Sequence, residues 1–312
     1  MSNPVPESHA RCMLLVHGGA GVIRKDMDAE TERATRVALA AALRRGHALL
    51  AAGGSALDAV AAAVVALEDA PYFNAGKGAV FTHEGVNELD AAIMDGASLR
   101  AGAVCGVQHV RNPVLLARAV MEHSEHVMLA GAGAEAFART QDIALVAAAY
   151  FHTDKRRREL QDALRQSAAG EEVDHYGTVG AVALDMHGHL AAATSTGGMT
   201  DKRWGRIGDS PVIGAGTYAN SVCAMSGTGW GEFYLRTAAA HAVCARVQLL
   251  QQSIIDAADA VINGDIPRLG GSGGAIVLGA DGSYAFPFNT DGMYRGWIGD
   301  DAEPHVAIWP GE

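Results

Sequence analysis

The chain has 312 residues, 49 % hydrophobic and 19 % charged, with a formal net charge of −11. That length can bury a sizeable core, as one large domain or two ordinary ones, and the composition is globular rather than disordered. The acidic balance argues against a nucleic-acid surface, and no apolar run reaches the roughly 18 uncharged residues a membrane-spanning helix needs. Residues 13–16 are predicted as a buried strand running into the glycine loop His17-Gly18-Gly19-Ala20-Gly21. Alanine and leucine at helical spacing predict a helix over 30–52, ended by Gly53-Gly54. Ser55 followed by Asp58 resembles a capping box opening a second helix through Leu67. Residues 74–96 are turn-rich with short strands, and Asn112-Pro113 is expected to start a third helix like the second, with proline at its first position.

From about 153 to 175 the chain turns charged and ends in G-E-E-V-D-H, the composition of a linker. Its basic run, Lys155 to Arg158 between Asp154 and Glu159, reads as a solvated helix face or linker. Beyond it, residues 178–185 and 190–195 are predicted as a hairpin of strands. Helices are predicted over 230–247 and 253–262, and closing strands over 274–279, 284–288 and 305–309. Strands and helices in both halves suggest a sheet core with helices outside it.

The familiar site patterns fail in turn. No G-x-S-x-G occurs, and Ser272 in G-G-S-G-G reads as a turn. His123 with His126, and His187 with His189, lack a third metal ligand and read as surface histidines. Residues 131–136 fit G-x-G-x-x-A, a lone match that keeps open a non-enzymatic nucleotide-binding protein. What these leave unexplained is Gly177-Thr178, where the charged segment meets a buried strand. If that bond is cut, the freed α-amino group, with a pKa near 8, shares a residue with a hydroxyl, so one residue supplies both nucleophile and base.

The motifs around that junction are H-G-G-A-G from His17, F-N-A-G from Phe73, T-S-T-G-G-M-T from Thr194, G-R-I-G-D-S-P from Gly205, S-G-T-G-W-G-E from Ser226 and P-F-N-T-D-G-M-Y from Pro287. Together they closely resemble the plant-type asparaginases, or isoaspartyl peptidases, of the N-terminal-nucleophile hydrolases, over almost the whole chain. The resemblance implies an α/β four-layer αββα sandwich, self-cut into residues 1–177 and 178–312 and paired as a dimer of such units. It implies Thr178 as nucleophile, freed by cleavage after Gly177, with Thr196 assisting its activation and Asn74 beside it. Arg206 would hold the substrate α-carboxylate and Asp209 its α-ammonium, with the carbonyl of Gly231 near that amine. Thr228 and the Gly229 N–H would form the oxyanion hole. A sodium ion would rest on the carbonyls of Leu67, Glu68, Ala70, Phe73, Ala75 and Lys77, and no organic cofactor is implied.

The implied substrates are L-asparagine and β-aspartyl dipeptides, with the large Trp230 in T-G-x-G-E a candidate neighbour of the leaving group. Glycosylasparaginases and the taspase endopeptidases share the nucleophile and stay as alternatives. The opening M-S-N-P-V-P-E-S-H lacks a signal pattern, and Cys12, Cys105, Cys223 and Cys244 form no C-x-x-C pair. A cytoplasmic protein with buried free thiols is expected.

Overall fold

The computed structural model describes residues 12–21, 23, 26–169 and 177–312. The first part of the chain forms β1 (Met13–Gly21), α1 (Ala29–Ala51), α2 (Ala56–Glu68), β2 (Leu89–Asp95), β3 (Ala101–Val107), α3 (Pro113–His123), β4 (Met128–Ala130), α4 (Gly131–Thr140) and α5 (Asp154–Ala169). The second part forms β5 (Val179–Leu184), β6 (Leu190–Thr196), β7 (Thr217–Ala219), β8 (Cys223–Gly229), α6 (Gly231–Thr237), α7 (Ala239–Leu250) and α8 (Ile254–Asp259). A π-helical turn over Ala260–Asp265 follows, then β9 (Gly273–Gly279), β10 (Tyr284–Ala285), β11 (Gly292–Ile298) and β12 (His305–Ala307).

The strands make an eight-stranded sheet in the order β12-β11-β1-β5-β6-β2-β3-β4 and a four-stranded sheet in the order β10-β9-β8-β7. Three apolar clusters hold the layers together. Leu39, Leu43, Val60 and Val64 of α1 and α2 pack on Leu14, Ile93, Val179 and Ala181 of the large sheet. Leu15, Val182 and Ala192 on that sheet's other face meet Ala224, Ile276 and Leu278 of the small one. Met225 and Val277 on the far side of the small sheet meet Val243, Cys244 and Ala257 of α7 and α8. Both faces of both sheets are thus covered, giving the expected αββα order. Strands buried on both faces read as continuous apolar runs rather than alternating ones, as in β5, which is buried at every position.

Several local expectations hold and some are corrected. Ser55 caps α2 by accepting from the Asp58 N–H at 3.1 Å. Asn112 precedes α3 but makes no cap bond; its amide donates instead to Asp69 at 3.3 Å. The expected linker is largely the helix α5, whose Arg156 is buried, donating to the Gly78 carbonyl at 2.7 Å and to Glu159 at 2.8 Å. One buried face explains why so polar a segment is helical, and residues 170–176 of the expected linker lie outside the described residues. The helix expected over 230–247 breaks at Ala238, whose left-handed φ of 46° separates α6 from α7. Among the described residues no helix is long and apolar enough to cross a membrane.

Candidate active site

Thr178 sits at the head of β5, which is hydrogen-bonded between β1 and β6. Its hydroxyl donates to Thr196 Oγ1 at 3.2 Å, and the Gly198 N–H donates to the same oxygen at 2.9 Å. The pair arises from register: β5 and β6 are antiparallel, with Val179 opposite Ser195, so the adjacent threonines meet at the strand ends. Both hydroxyls are buried. Gly177, on the other side of the junction, has a φ of +50°, the left-handed region that glycine adopts without strain.

Behind Thr178 runs a chain of neutral groups that the sequence reading did not assign. His17 is fully buried, which pushes its pKa down to about 3, so the ring is uncharged at neutral pH. Its Nδ1 lies 3.0 Å from the Thr178 carbonyl, which can only accept, so the proton sits on Nδ1. Nε2 therefore accepts from Ser226 Oγ at 2.9 Å. That in turn makes Thr194 the donor to Ser226 at 2.7 Å, with Thr217 donating to Thr194 at 2.6 Å. Four side chains from four strands, with His17 in β1 where a glycine loop was expected, thus aim one donor at the backbone of Thr178. A Cβ at Gly180 would stand 2.0 Å from Ser226 Oγ and 2.4 Å from His17 Nε2, so only glycine leaves room for the chain.

The charged end of the site is built by residues 206–209 and the start of α6. The Arg206 guanidinium donates through Nε and Nη2 to both carboxylate oxygens of Glu232, each at 2.9 Å. This bidentate pair fixes the plane of the fork and leaves the Nη1 edge free of it. Asp209 is buried, and burial raises its pKa to about 6 against the opposing pull of Arg206. Its Oδ2 is buried without a hydrogen-bond partner, a position that suits an incoming ammonium. A Cβ at Gly231 would lie 2.7 Å from Asp209 Oδ1 and 2.8 Å from Arg206 Nη2, so glycine is required for the two to converge.

Gly177, Thr178, Thr196, Arg206, Asp209 and Gly229 surround one cavity of about 10 Å³. Gly177 also borders a second cavity, of about 380 Å³, together with Asn74, Gly19, Phe73 and Tyr294. Asn74 donates to the Gly198 carbonyl at 2.7 Å and accepts from the Val80 N–H at 2.9 Å, tying the loop after Thr196 in place. Thr228 is fully buried, and its hydroxyl accepts from the Ala20 N–H at 3.2 Å, joining β8 to the glycine loop. Trp230 caps α6 and packs edge-on against Phe233, with centroids 5.1 Å apart, and lines neither cavity. His17, Ser226 and Glu232 are the residues that sequence reading passed over. Each lies inside a motif it quoted, but motif strings do not say which side chains meet.

Among the described residues no three His, Cys, Asp or Glu side chains gather to hold a metal ion, so an implied cation would rest on carbonyl groups. In the loop after α2, the Lys77 N–H returns to the Glu68 carbonyl at 2.7 Å. A Cβ at Gly76 would lie 2.4 Å from Glu68 O, and one at Gly78 2.9 Å from Phe73 O, so the loop carbonyls crowd a cradle kept clear of side chains. Neutral backbone oxygens are the donors a hard cation takes, though the Glu68 and Leu67 carbonyls already accept from the Lys77 and Ala70 N–H groups.

Known proteins resemble this chain over nearly its whole length. The family model described as asparaginase matches residues 10–308. The isoaspartyl peptidase of Salmonella typhimurium is 50 % identical over 300 residues, covering 92 % of this chain and 95 % of that protein. That of Escherichia coli is 49 % identical, covering 92 % of each. The isoaspartyl peptidase/L-asparaginase of Homo sapiens is 40 % identical, covering 96 % of each. With nearly its whole length matched, the chain belongs to the asparaginase family of N-terminal-nucleophile hydrolases.

Proposed function

We propose that the chain cuts itself between Gly177 and Thr178 and then hydrolyses the side-chain amide of L-asparagine and the β-linkage of β-aspartyl dipeptides. The observation that carries this reading is the Thr178 hydroxyl, paired with Thr196 at 3.2 Å and sharing one small cavity with Arg206 and Asp209. In self-cleavage the Thr178 oxygen attacks the Gly177 carbonyl carbon, the C–N bond breaks to the Thr178 nitrogen, and water hydrolyses the resulting ester. Residues 1–177 and 178–312 become the two subunits.

In turnover the free α-amine of Thr178, with a pKa near 8, takes the proton from its own hydroxyl. The oxygen attacks the β-carbonyl carbon of the substrate, the amine leaves with that proton, and water releases aspartate. Arg206 holds the α-carboxylate, with Glu232 fixing its fork, and Asp209 takes the α-ammonium beside the Gly231 carbonyl. Thr228 and the Gly229 N–H stabilise the oxyanion, and Thr196 polarises the nucleophile. Asn74 holds the loop next to it. A structural sodium ion at the carbonyls of residues 67–77 would stiffen the loop that carries Asn74.

Endopeptidase and glycosylasparaginase readings share the nucleophile, and what favours an aspartyl group with both α-charges free is that Arg206 and Asp209 border the same cavity as Thr178. Ammonia release from asparagine by wild type and Thr178→Ala is the test. Activity only in wild type supports the reading, while equal activity contradicts it.

A further inference from the structure

Gly177 lines both cavities at the junction, and in the uncut chain it is the partition between them. If cleavage lets Gly177 withdraw, the two cavities open onto each other beside Thr178. The smaller is lined by Arg206 and Asp209, which would hold the charged α-end of the aspartyl group on the side of Thr178 away from the larger cavity's lining. Whatever lies beyond the scissile amide must therefore extend the other way. We propose that the larger cavity is the subsite for the leaving amino acid of a β-aspartyl dipeptide, with Phe73 and Tyr294 receiving its side chain and Lys155 its α-carboxylate. This rests on the hydrolase reading above and deepens it.

The lining fits such a ligand. At about 380 Å³ the cavity falls in the range of small-ligand sites, roughly 300–1,000 Å³. The Phe73 and Tyr294 rings meet edge to face with centroids 6.2 Å apart, and the Tyr294 hydroxyl lies 3.9 Å from Met27 Sδ. These with Ile23 form an apolar wall. The charged lining is Lys155, Arg156, Glu159 and Asp26. Arg156 is buried and committed, to Glu159 at 2.8 Å and to the Gly78 carbonyl at 2.7 Å. Lys155 Nζ stands 4.0 Å from Glu159 Oε1, the other oxygen of that carboxylate, a weaker hold that an incoming carboxylate can replace. The Lys155 side chain is 58 % exposed, so its ammonium is open to an incoming carboxylate. The neighbour of the leaving group is thereby assigned to this cavity rather than to Trp230, which packs on Phe233.

The test compares kcat/KM for β-aspartyl-leucine, its C-terminal amide and asparagine, using self-cleaved wild type, Tyr294→Ala, Lys155→Ala and Trp230→Ala. Tyr294→Ala is expected to lower the ratio of dipeptide to asparagine by roughly tenfold or more, the scale of a lost apolar contact. Lys155→Ala, on an accessible helix face where folding is not at stake, is expected to abolish the preference for β-aspartyl-leucine over its amide. Ratios that stay at wild-type values in both variants, or that move only in Trp230→Ala, would overturn the assignment while leaving the hydrolase reading intact. A self-cleaved wild type that splits neither asparagine nor dipeptide would overturn both.

Discussion

A single threonine does the work of two catalytic groups here only if its surroundings hold it still. The Thr178 hydroxyl is held by Thr196 at 3.2 Å and its carbonyl by His17 at 3.0 Å, so the side chain and backbone of one residue are each pinned by a different strand. Asp209 gives a pH signature. Its free carboxyl ionises near 6 because burial disfavours the charge, and the α-amine of a processed Thr178 ionises near 8. Both must be deprotonated in the free enzyme, so log kcat/KM for asparagine should fall with slope one below about 8 and slope two below about 6. The second break should be missing from kcat, because bound ammonium keeps Asp209 ionised. A slope that stays at one down to pH 5 would remove Asp209 from the ammonium site. Glu232→Gln tests the clamp on Arg206: loss of a charge-assisted bidentate pair should raise KM by roughly tenfold with little change in kcat. A wild-type KM would show that Arg206 needs no such partner.

At the scale of elements, much was legible because helix signals are local. The Ser55 cap, the stop at Gly53 and the proline opening α3 are all written within a few residues. The pairing threonines Thr178 and Thr196 were legible for the same reason, lying in short glycine-rich strings at strand ends. What could not be read was long-range pairing. His17 meets Ser226 across 209 positions, and Arg156 finds its buried place only because α5 folds back onto Gly78. The strand β11 was missed because its glycines and polar residues resemble a turn. Only pairing with β1, Leu14 opposite Ile298, makes it a strand. The His17 chain supplies a stability prediction. Ser226→Ala leaves Nε2 of a buried ring without its donor, at a cost of about 1–3 kcal/mol. In the uncut Thr178→Ala background this should lower Tm by several degrees, and an unchanged Tm would mean that the chain contributes nothing to folding.

At the scale of the molecule, the layers explain how one junction becomes a site. β5 lies in the middle of the eight-stranded sheet, and its head opens between the two sheets, where β8 brings Thr228 and Gly229 and the start of α6 brings Gly231 and Glu232. The two chain pieces share the large sheet, with β1 from the first hydrogen-bonded to β5 and β11 from the second, so cutting after Gly177 severs one peptide bond and no sheet pairing. The pieces should therefore stay together after processing and migrate as one species by light scattering. A mass corresponding to a separated piece would contradict this.

The most direct measurement is the intact mass of purified protein under denaturing conditions, for wild type and Thr178→Ala together, with asparagine hydrolysis measured on the same samples. The account predicts two wild-type fragments, the second beginning T-V-G-A-V at Thr178, and a single inactive chain in the variant. A wild-type protein that stays whole while hydrolysing asparagine at full rate would contradict it.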